Sequence, residues 1–324
     1  MKIIYKILNN IYAKIIGTPE RQTLINAAPN EASEEIAKLL ASGRPCMVAR
    51  FGAFELTTIV NYLGVSNPKH SIVKFIKGEQ PQWWWNESTL RYMESNAGFY
   101  PSNHETISKF SELMLNDAKE LDVLGSWLSS ERYVEHYYPS ATKVKLLSLE
   151  PYLSDHPWTK ILEGRRVLVV HPFAELIEKQ YKENRTKLFD NPDVLPEFHL
   201  DSIKAVQSMG GVNNDFKNWF DALEWMKREI DKREYDVCLI GCGAYGFPLA
   251  AHCKRMGKQA IHLGGALQLL FGIKGKRWED ENYGVSFGVP QGYYVKLLSN
   301  EYWVRPGEDN KPANSKEVEN ECYW

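Results

Sequence analysis

The chain has 324 residues, of which 44% are hydrophobic and 25% are charged, and its formal net charge is -2. These values are typical of a soluble globular protein with a substantial core, and they give no reason to expect a nucleic acid as a partner. The five cysteines include no CxxC pair, which argues against a disulfide framework or a zinc ribbon and predicts a reducing compartment, the cytoplasm.

Residues 1–20 predict an amphipathic helix. Isoleucine, leucine and tyrosine recur at helical spacing, and Lys2, Lys6 and Lys14 are among the other positions. Polar residues interrupt the apolar run, so a signal peptide is not expected. Two interpretations stay open for residues 1–17. The helix lies on anionic lipid, peripheral to the inner face of the membrane, or it packs on its own domain or on a partner subunit.

Residues 21–305 are expected to form a single domain. Its first elements are a helix over 30–42, a short strand in PCMVARFG and a helix in FELTTIVNYLG. Residues 66–140, including SKFSELMLNDAKELDVLGSWL, predict a helical insertion or cover. The tail, 306–324, is polar and predicted to be extended, and docking of its final Cys-Tyr-Trp onto the domain is an alternative for those three residues.

From residue 143 the pattern alternates between strands and helices. Strands are predicted in KVKLLSLEPY, ending at Glu150, in GRRVLVVHPF, ending at His171, and in PEFHLDSIKAVQS, YDVCLIGCG and QAIHLGG. Helices are predicted in AELIEKQY, FKNWFDALEWMKREIDK, FPLAAHCKRMG and ALQLLFG. Near-continuous apolar strands separated by helices indicate an α/β fold, a Rossmann-like open, mostly parallel sheet with helices on both faces.

Polar or glycine-rich groups stand at the ends of these strands, where open parallel sheets bind their ligands. The segment Gly241-x-Gly243-x-x-Gly246 has the spacing of a dinucleotide fingerprint. However, the next strand ends without the carboxylate that would hold a ribose, so NAD is not predicted and an oxidoreductase is supported by the glycine spacing alone. The turn suits a diphosphate or a ribose, because glycine allows close approach and the following helix N-terminus favours anions. The alternative is a tight turn that needs only small residues.

Four segments together resemble the bacterial glycosyltransferases of the GT-D fold type. They are ARFGAFE at 49–55, LIGCGAYG, HLGGALQLLFGIKGKRW and the final WVRP and YW. The resemblance implies a Rossmann-like sheet and a nucleotide-sugar donor. It also implies a glycan, lipid-linked or protein acceptor in the assembly of cell-surface polysaccharides or glycoproteins.

The signature of that family is an Arg-Phe-Gly turn followed by Asp-x-Glu, whose carboxylates engage a divalent metal and the donor diphosphate. This chain has Arg50, Phe51, Gly52 and Glu55, but Ala53 stands where the aspartate is expected. The resemblance implies Mn²⁺ or Mg²⁺ at Glu55. A single carboxylate weakens the binding of either ion, because hard cations prefer several oxygen ligands.

Arg50 and Glu55 are therefore the catalytic candidates: Arg50 as a planar donor to phosphate, and Glu55 as a metal ligand or as the base that deprotonates an acceptor hydroxyl. The predicted donor-binding residues are Phe51, Gly52, His171, Gly241, Gly243, Ala244, Tyr245, Gly264, Gly265, Gln268, Lys276 and Arg277. Structural alternatives are an Arg50–Glu55 salt bridge, a hydrogen-bonded structural His171 and a solvated basic loop at 276–277. The rival function is a non-catalytic nucleotide- or sugar-binding module of a polysaccharide-assembly complex.

Overall fold

The computed structural model describes residues 2–17, 28–208, 215–307, 310–311 and 322–324. Within these ranges seven strands form one sheet in which every neighbouring pair is parallel. They are β1 (Cys46–Ala49), β2 (Val123–Ser126), β3 (Thr142–Lys145), β4 (Arg166–His171), β5 (His199–Lys204), β6 (Val237–Ile240) and β7 (Gln259–His262). Their order is β3-β2-β1-β7-β6-β4-β5, which confirms the predicted open parallel α/β fold.

Helices surround this sheet. In chain order they are α1 (Lys2–Ile16), α2 (Pro29–Ala41), α3 (Ala53–Ser66), α4 (Ile72–Ile76), α5 (Glu87–Ser95), α6 (His104–Asp117), α7 (Ala174–Asn184), α8 (Trp219–Asp231), α9 (Gly246–Arg255), α10 (Leu267–Leu270) and α11 (Tyr293–Leu298). Local signals explain several starts. Asn103 caps α6 by accepting hydrogen bonds from two backbone N–H groups at 3.1 Å, and Asn218 caps α8 by accepting one at 2.9 Å.

The sheet separates two hydrophobic cores, because successive side chains of a strand point to opposite faces. In β1, Met47 and Ala49 pack with α3, α6, α8 and α9, whereas Cys46 and Val48 pack with α2, α7, α10 and α11. All four residues are fully buried. Both faces of the sheet are therefore covered, which leaves the ends of the strands as the place where a ligand can enter.

Two predicted boundaries differ from the structure. Val123–Ser126, within the segment expected to be helical, is the strand β2 and pairs with both β1 and β3. Four residues are too few for hydrophobic periodicity to distinguish a strand from a helix, so pairing with the buried neighbouring strands decides the conformation here. The strand predicted to reach Glu150 ends at Lys145, and a 3₁₀ turn over Leu146–Leu149 precedes that glutamate.

The predicted N-terminal helix is present as α1, and none of the described helices is long and apolar enough to cross a bilayer. Residues 18–20 and most of the tail predicted to be extended, 308–309 and 312–321, lie outside the described residues. Residues 322–324 do dock onto the domain. The indole of Trp324 is buried and donates a hydrogen bond to the carbonyl of Asn310 at 2.7 Å.

Candidate active site

A cavity of about 460 Å³ opens at the carboxyl ends of the strands. Its walls come from the segments that follow all seven strands, together with residues 96–98 and 323–324. Most of the predicted site residues line it: Arg50, Gly52, Glu55, His171, Gly241, Gly243, Tyr245, Gly264, Gly265, Gln268 and Arg277. Its volume is within the range usual for small-molecule sites, and residues from distant parts of the chain converge there.

Three predicted donor-binding residues are not among those lining the cavity. Phe51 is buried and stacks on Phe247 with the ring centroids 4.6 Å apart, and Ala244 is buried in the same core. Lys276 is exposed, with its backbone N–H bonded to the carbonyl of Trp324 at 3.3 Å. Phe51 and Ala244 therefore pack in the core beneath the turns that carry their cavity-lining neighbours. The side chain of Lys276 lies outside the cavity wall.

Arg50 follows β1 and lies half-buried at the cavity. Its guanidinium lies 5.4 Å from the centre of the Trp127 ring, and that indole donates to the carbonyl of Phe51 at 2.9 Å. A Cβ placed on Gly264 would lie 3.7 Å from Arg50 Nη1. Among the described residues the guanidinium has no hydrogen bond and no ion pair, so the salt bridge with Glu55 does not form, although the charge of Arg50 still acts on that carboxyl. Five N–H donors are thus left for an anion.

Glu55 lies in the first turn of α3 and is buried. Its carboxylate folds back over Gly52, where any Cβ would collide with it, which explains the glycine at that position. Burial raises the pKa of Glu55, and the positive charge of Arg50 opposes that shift. A buried carboxyl with a raised pKa is suited to exchange a proton with a substrate.

Glu150 is a second buried carboxyl at the cavity, and it was not among the predicted site residues. The hydroxyl of Tyr294 donates to Glu150 Oε2 at 2.6 Å. Burial raises the pKa of Glu150 to about 7, although this hydrogen bond opposes the shift. A carboxylate at the end of a predicted strand is the one sequence signal for this residue, and its aromatic partner comes from α11, far along the chain.

His171 ends β4 and combines a structural contact with a place in the cavity wall. Its Nδ1 accepts a hydrogen bond from the backbone N–H of Phe173 at 3.0 Å. Burial lowers the pKa of His171 to about 3, so the ring is neutral near pH 7. With Nδ1 accepting, the proton of the neutral ring is on Nε2. His171 can therefore donate a hydrogen bond to a ligand, but it cannot act as a base through Nε2.

The glycine turns bring backbone close to the cavity. A Cβ on Gly241 would lie 2.6 Å from the carbonyl oxygen of Gly264 and 2.8 Å from His171 Cδ2, so no side chain fits there. Gly243 has φ +57° and Gly264 has φ +64°, in the left-handed region that favours glycine. Tyr245 closes the turn after β6 by stacking on Trp219, at 4.9 Å between ring centroids.

The docked residues 322–324 complete one wall. The ring of Tyr323 covers Gly265 and lies 4.8 Å from the Arg277 guanidinium, measured to the ring centroid. Gln268 Nε2 donates to the carbonyl of Tyr323 at 3.1 Å, while Gln268 Oε1 is buried without a partner among the described residues. Gln268 and Arg277 thus contact Tyr323 in this wall and also line the cavity.

The side chains of the site do not fit a divalent metal as the GT-D signature requires. Position 53 is alanine, and the carboxylate of Glu55 is folded against Gly52 with a raised pKa, which disfavours the ionised form that a hard cation binds. No group of three or more His, Cys, Asp or Glu side chains with metal-binding placement occurs in the described ranges. No chemical step is therefore assigned to a metal.

Comparison with known proteins gives little further guidance. No family model matches the chain, and no curated protein matches it. It is similar to a solved structure described as the selenomethionine-substituted structure of domain of unknown function 1792 (DUF1792). The identity is 11%, the TM-score is 0.41, and the alignment covers 94% of this chain and 99% of that one. At this TM-score the likeness carries no argument about function.

Proposed function

We propose that this chain is a glycosyltransferase that moves a sugar from a nucleotide-sugar donor to a glycan, lipid-linked or protein acceptor. The observation that carries the proposal is the guanidinium of Arg50, which faces the cavity without a carboxylate partner among the described residues. Glycine turns at Gly241, Gly243 and Gly264 line the same cavity, and Gly264 is the one next to Arg50. A planar cation beside glycine turns is suited to a diphosphate, which accepts paired hydrogen bonds.

The proposed reaction exchanges one bond of the sugar for another. The acceptor hydroxyl oxygen forms a bond to the anomeric carbon, the bond from that carbon to the diphosphate oxygen breaks, and the nucleoside diphosphate leaves with the bonding electron pair. Negative charge therefore grows on the leaving diphosphate. Arg50 and the Nε2–H of His171 are the proposed donors that stabilise this charge, fixed in place before the reaction begins.

The hydroxyl proton needs an acceptor, and Glu55 is the proposed base. The positive charge of Arg50 acts on the carboxyl of Glu55 without an ion pair between them, and the raised pKa of Glu55 brings it closer to the range in which proton transfer is efficient. Glu150, with a pKa of about 7, is the second carboxyl at the cavity wall. The variants Glu55→Gln and Glu150→Gln each remove one ionisable carboxyl, and they distinguish the two candidates for the base. Only the variant that lacks the base should lose the rise of the transfer rate with pH.

A second candidate function is supported by one residue. Ala53 removes the first carboxylate of the signature, which favours a non-catalytic nucleotide- or sugar-binding module of a polysaccharide-assembly complex. Such a module would bind a nucleoside diphosphate through the same arginine and turns, but it would transfer no sugar.

The test combines binding with transfer. Nucleoside diphosphates and sugar nucleotides are screened by thermal shift, and sugar transfer is then assayed for the intact chain and for Arg50→Lys. We expect a ligand to raise the melting temperature by mass action and Arg50→Lys to lower the transfer rate about 100-fold, since a point charge replaces a two-pronged donor. The matched control is Arg228→Lys, an exposed arginine of α8. An Arg50→Lys enzyme of full activity would remove Arg50 from the site.

Metal dependence is tested in the same assay. We expect a chelator to lower the rate little in the intact chain, and Ala53→Asp to introduce or strengthen activation by manganese, because a second carboxylate would complete the pair. Complete loss of the intact chain's activity in chelator would contradict the assigned role of Arg50. Binding of a nucleoside diphosphate without transfer to any acceptor would favour the binding module.

A further inference from the structure

The helix α1 leaves most of its apolar side uncovered. None of its residues is buried, and Ile3 and Ile15 are each 74% exposed. The neighbouring helix α4 adds Ile72 and Val73, which are 42% and 60% exposed. Scattered single apolar side chains are normal on protein surfaces, but a continuous group on two helices marks an interaction site.

The opposite side of α1 holds it to the domain. Asn9 Nδ2 donates to the carbonyl of Phe75 in α4 at 2.8 Å, and the ring of Tyr5 lies 6.1 Å from that of Trp83. The ammonium of Lys2 lies 5.9 Å from the Trp84 ring. Polar and aromatic contacts thus orient the helix so that the isoleucines stay outside. The packing of α1 on its own domain therefore does not bury its apolar face.

The two segments that form this face carry lysines, and the nearest acidic residue along the chain is the exposed Glu79 that follows α4. The segments 2–17 and 67–78 contain six lysines and neither aspartate nor glutamate. In the whole chain the charges are nearly balanced, with 39 lysines and arginines against 41 acidic residues. The positive charge is therefore a local property of the α1 and α4 surface.

We propose that α1 and α4 form a docking surface for an anionic phospholipid bilayer. Isoleucines bordered by lysines are the pattern of a helix that lies in the interface, with its apolar side among the acyl chains and its cations at the headgroups. A helix of 15 residues is about 22 Å long, enough to lie on a bilayer. A second copy of the chain is a poorer occupant, because two such faces would bring like charges together. The inference is independent of the sugar-transfer proposal.

The experiment is co-sedimentation of the full chain with vesicles. Vesicles of phosphatidylcholine alone are compared with equimolar phosphatidylcholine and phosphatidylglycerol. We expect binding to the anionic vesicles only, weakened by salt. The charge variant is Lys14→Gln with Lys74→Gln and Lys77→Gln, all exposed, and it should lower the partition coefficient roughly 100-fold. Its matched control is Lys179→Gln with Lys182→Gln and Lys296→Gln, also exposed and on other elements.

A second variant tests the apolar face. Ile7→Ser with Ile11→Ser should lower the partition coefficient at least tenfold, because two exposed side chains that enter the acyl region are lost. Met256→Ser with Val285→Ser, two exposed apolar residues elsewhere, is the control. The melting temperature, measured for each variant, should not change.

Three results would overturn the proposal. The first is binding to neutral vesicles as strong as binding to anionic ones. The second is a loss of vesicle binding in the control variants as large as in the test variants. The third is the absence of sedimentation with either kind of vesicle. If the chain is instead a dimer in ultracentrifugation and Ile7→Ser with Ile11→Ser makes it a monomer, the face binds a second copy. Loss of lipid binding with intact sugar transfer, or the reverse, separates this proposal from the enzymatic one.

Discussion

Replacing Glu150 by glutamine tests whether burial controls the protonation of the cavity wall. Burial raises the pKa of Glu150 from its ordinary value of 4.5 to about 7. Below pH 4.5 the carboxyl is protonated in both the folded and the unfolded chain. As the pH rises from 4.5 to 7 the unfolded chain releases the proton first, so the free energy of unfolding falls. It reaches its lower level above pH 7.

The size of the effect follows from the two pKa values, whose difference corresponds to about 3 kcal/mol. Glutamine is neutral at every pH and keeps an oxygen that accepts from the Tyr294 hydroxyl. We expect the free energy of unfolding of Glu150→Gln, minus that of the unaltered chain, to increase by about 3 kcal/mol between pH 4.5 and pH 8. Other titrating groups cancel in this difference.

The assay is urea denaturation at a series of pH values for the unaltered chain, Glu150→Gln and the control Glu183→Gln, which removes an exposed carboxyl of α7. The control should give a difference that changes by less than about 0.5 kcal/mol over the same range. A flat difference for Glu150→Gln would show that the carboxyl titrates normally, and the argument from burial would fail.

Two further predictions concern the turn after β6. Gly243→Val places a branched side chain at φ +57°, so it should cost about 1–2 kcal/mol of unfolding free energy and weaken nucleoside diphosphate binding. If calorimetry shows an unchanged affinity of Gly243→Val for nucleoside diphosphate, the turn has only a structural role. Gly246→Ala should destabilise the fold by about 1–3 kcal/mol, because its Cβ would collide with the buried ring of His262. The double variant with His262→Ala should recover part of that loss in thermal unfolding, and simple addition of the two losses would contradict the collision.

The strands and helices after residue 143 were largely predictable because their local pattern and their tertiary surroundings agree. Long helices such as α8 and apolar strands such as β4 carry their signal in consecutive residues. The strand β2 shows the limit of this reasoning. It has four residues, includes Gly125 and follows a helical segment, so its conformation depends on pairing with β1 and β3.

The site shows the same division between local and distant information. Arg50 and the glycine turns were predictable because strand ends in a parallel sheet face one edge. Lys276 stays a prediction as a donor-binding residue, since it is exposed and not among the residues that line the cavity, and sequence alone does not show on which side of a loop a side chain projects. Glu150 was missed as a site residue, because its raised pKa depends on burial and its hydroxyl partner is 144 residues away in sequence.

The central pair of strands also has a consequence for how the protein is made. β1 and β7 are neighbours in the sheet, although about 210 residues separate them along the chain. During synthesis the Arg50 turn therefore leaves the ribosome long before the Gly264 turn that faces it. Until β7 arrives, one edge of β1 has no strand to pair with, and an unpaired strand edge promotes aggregation. Nascent chains that stop before residue 259 should therefore depend on chaperones, and the cavity can close only after β7 and the Gly264 turn have been synthesised.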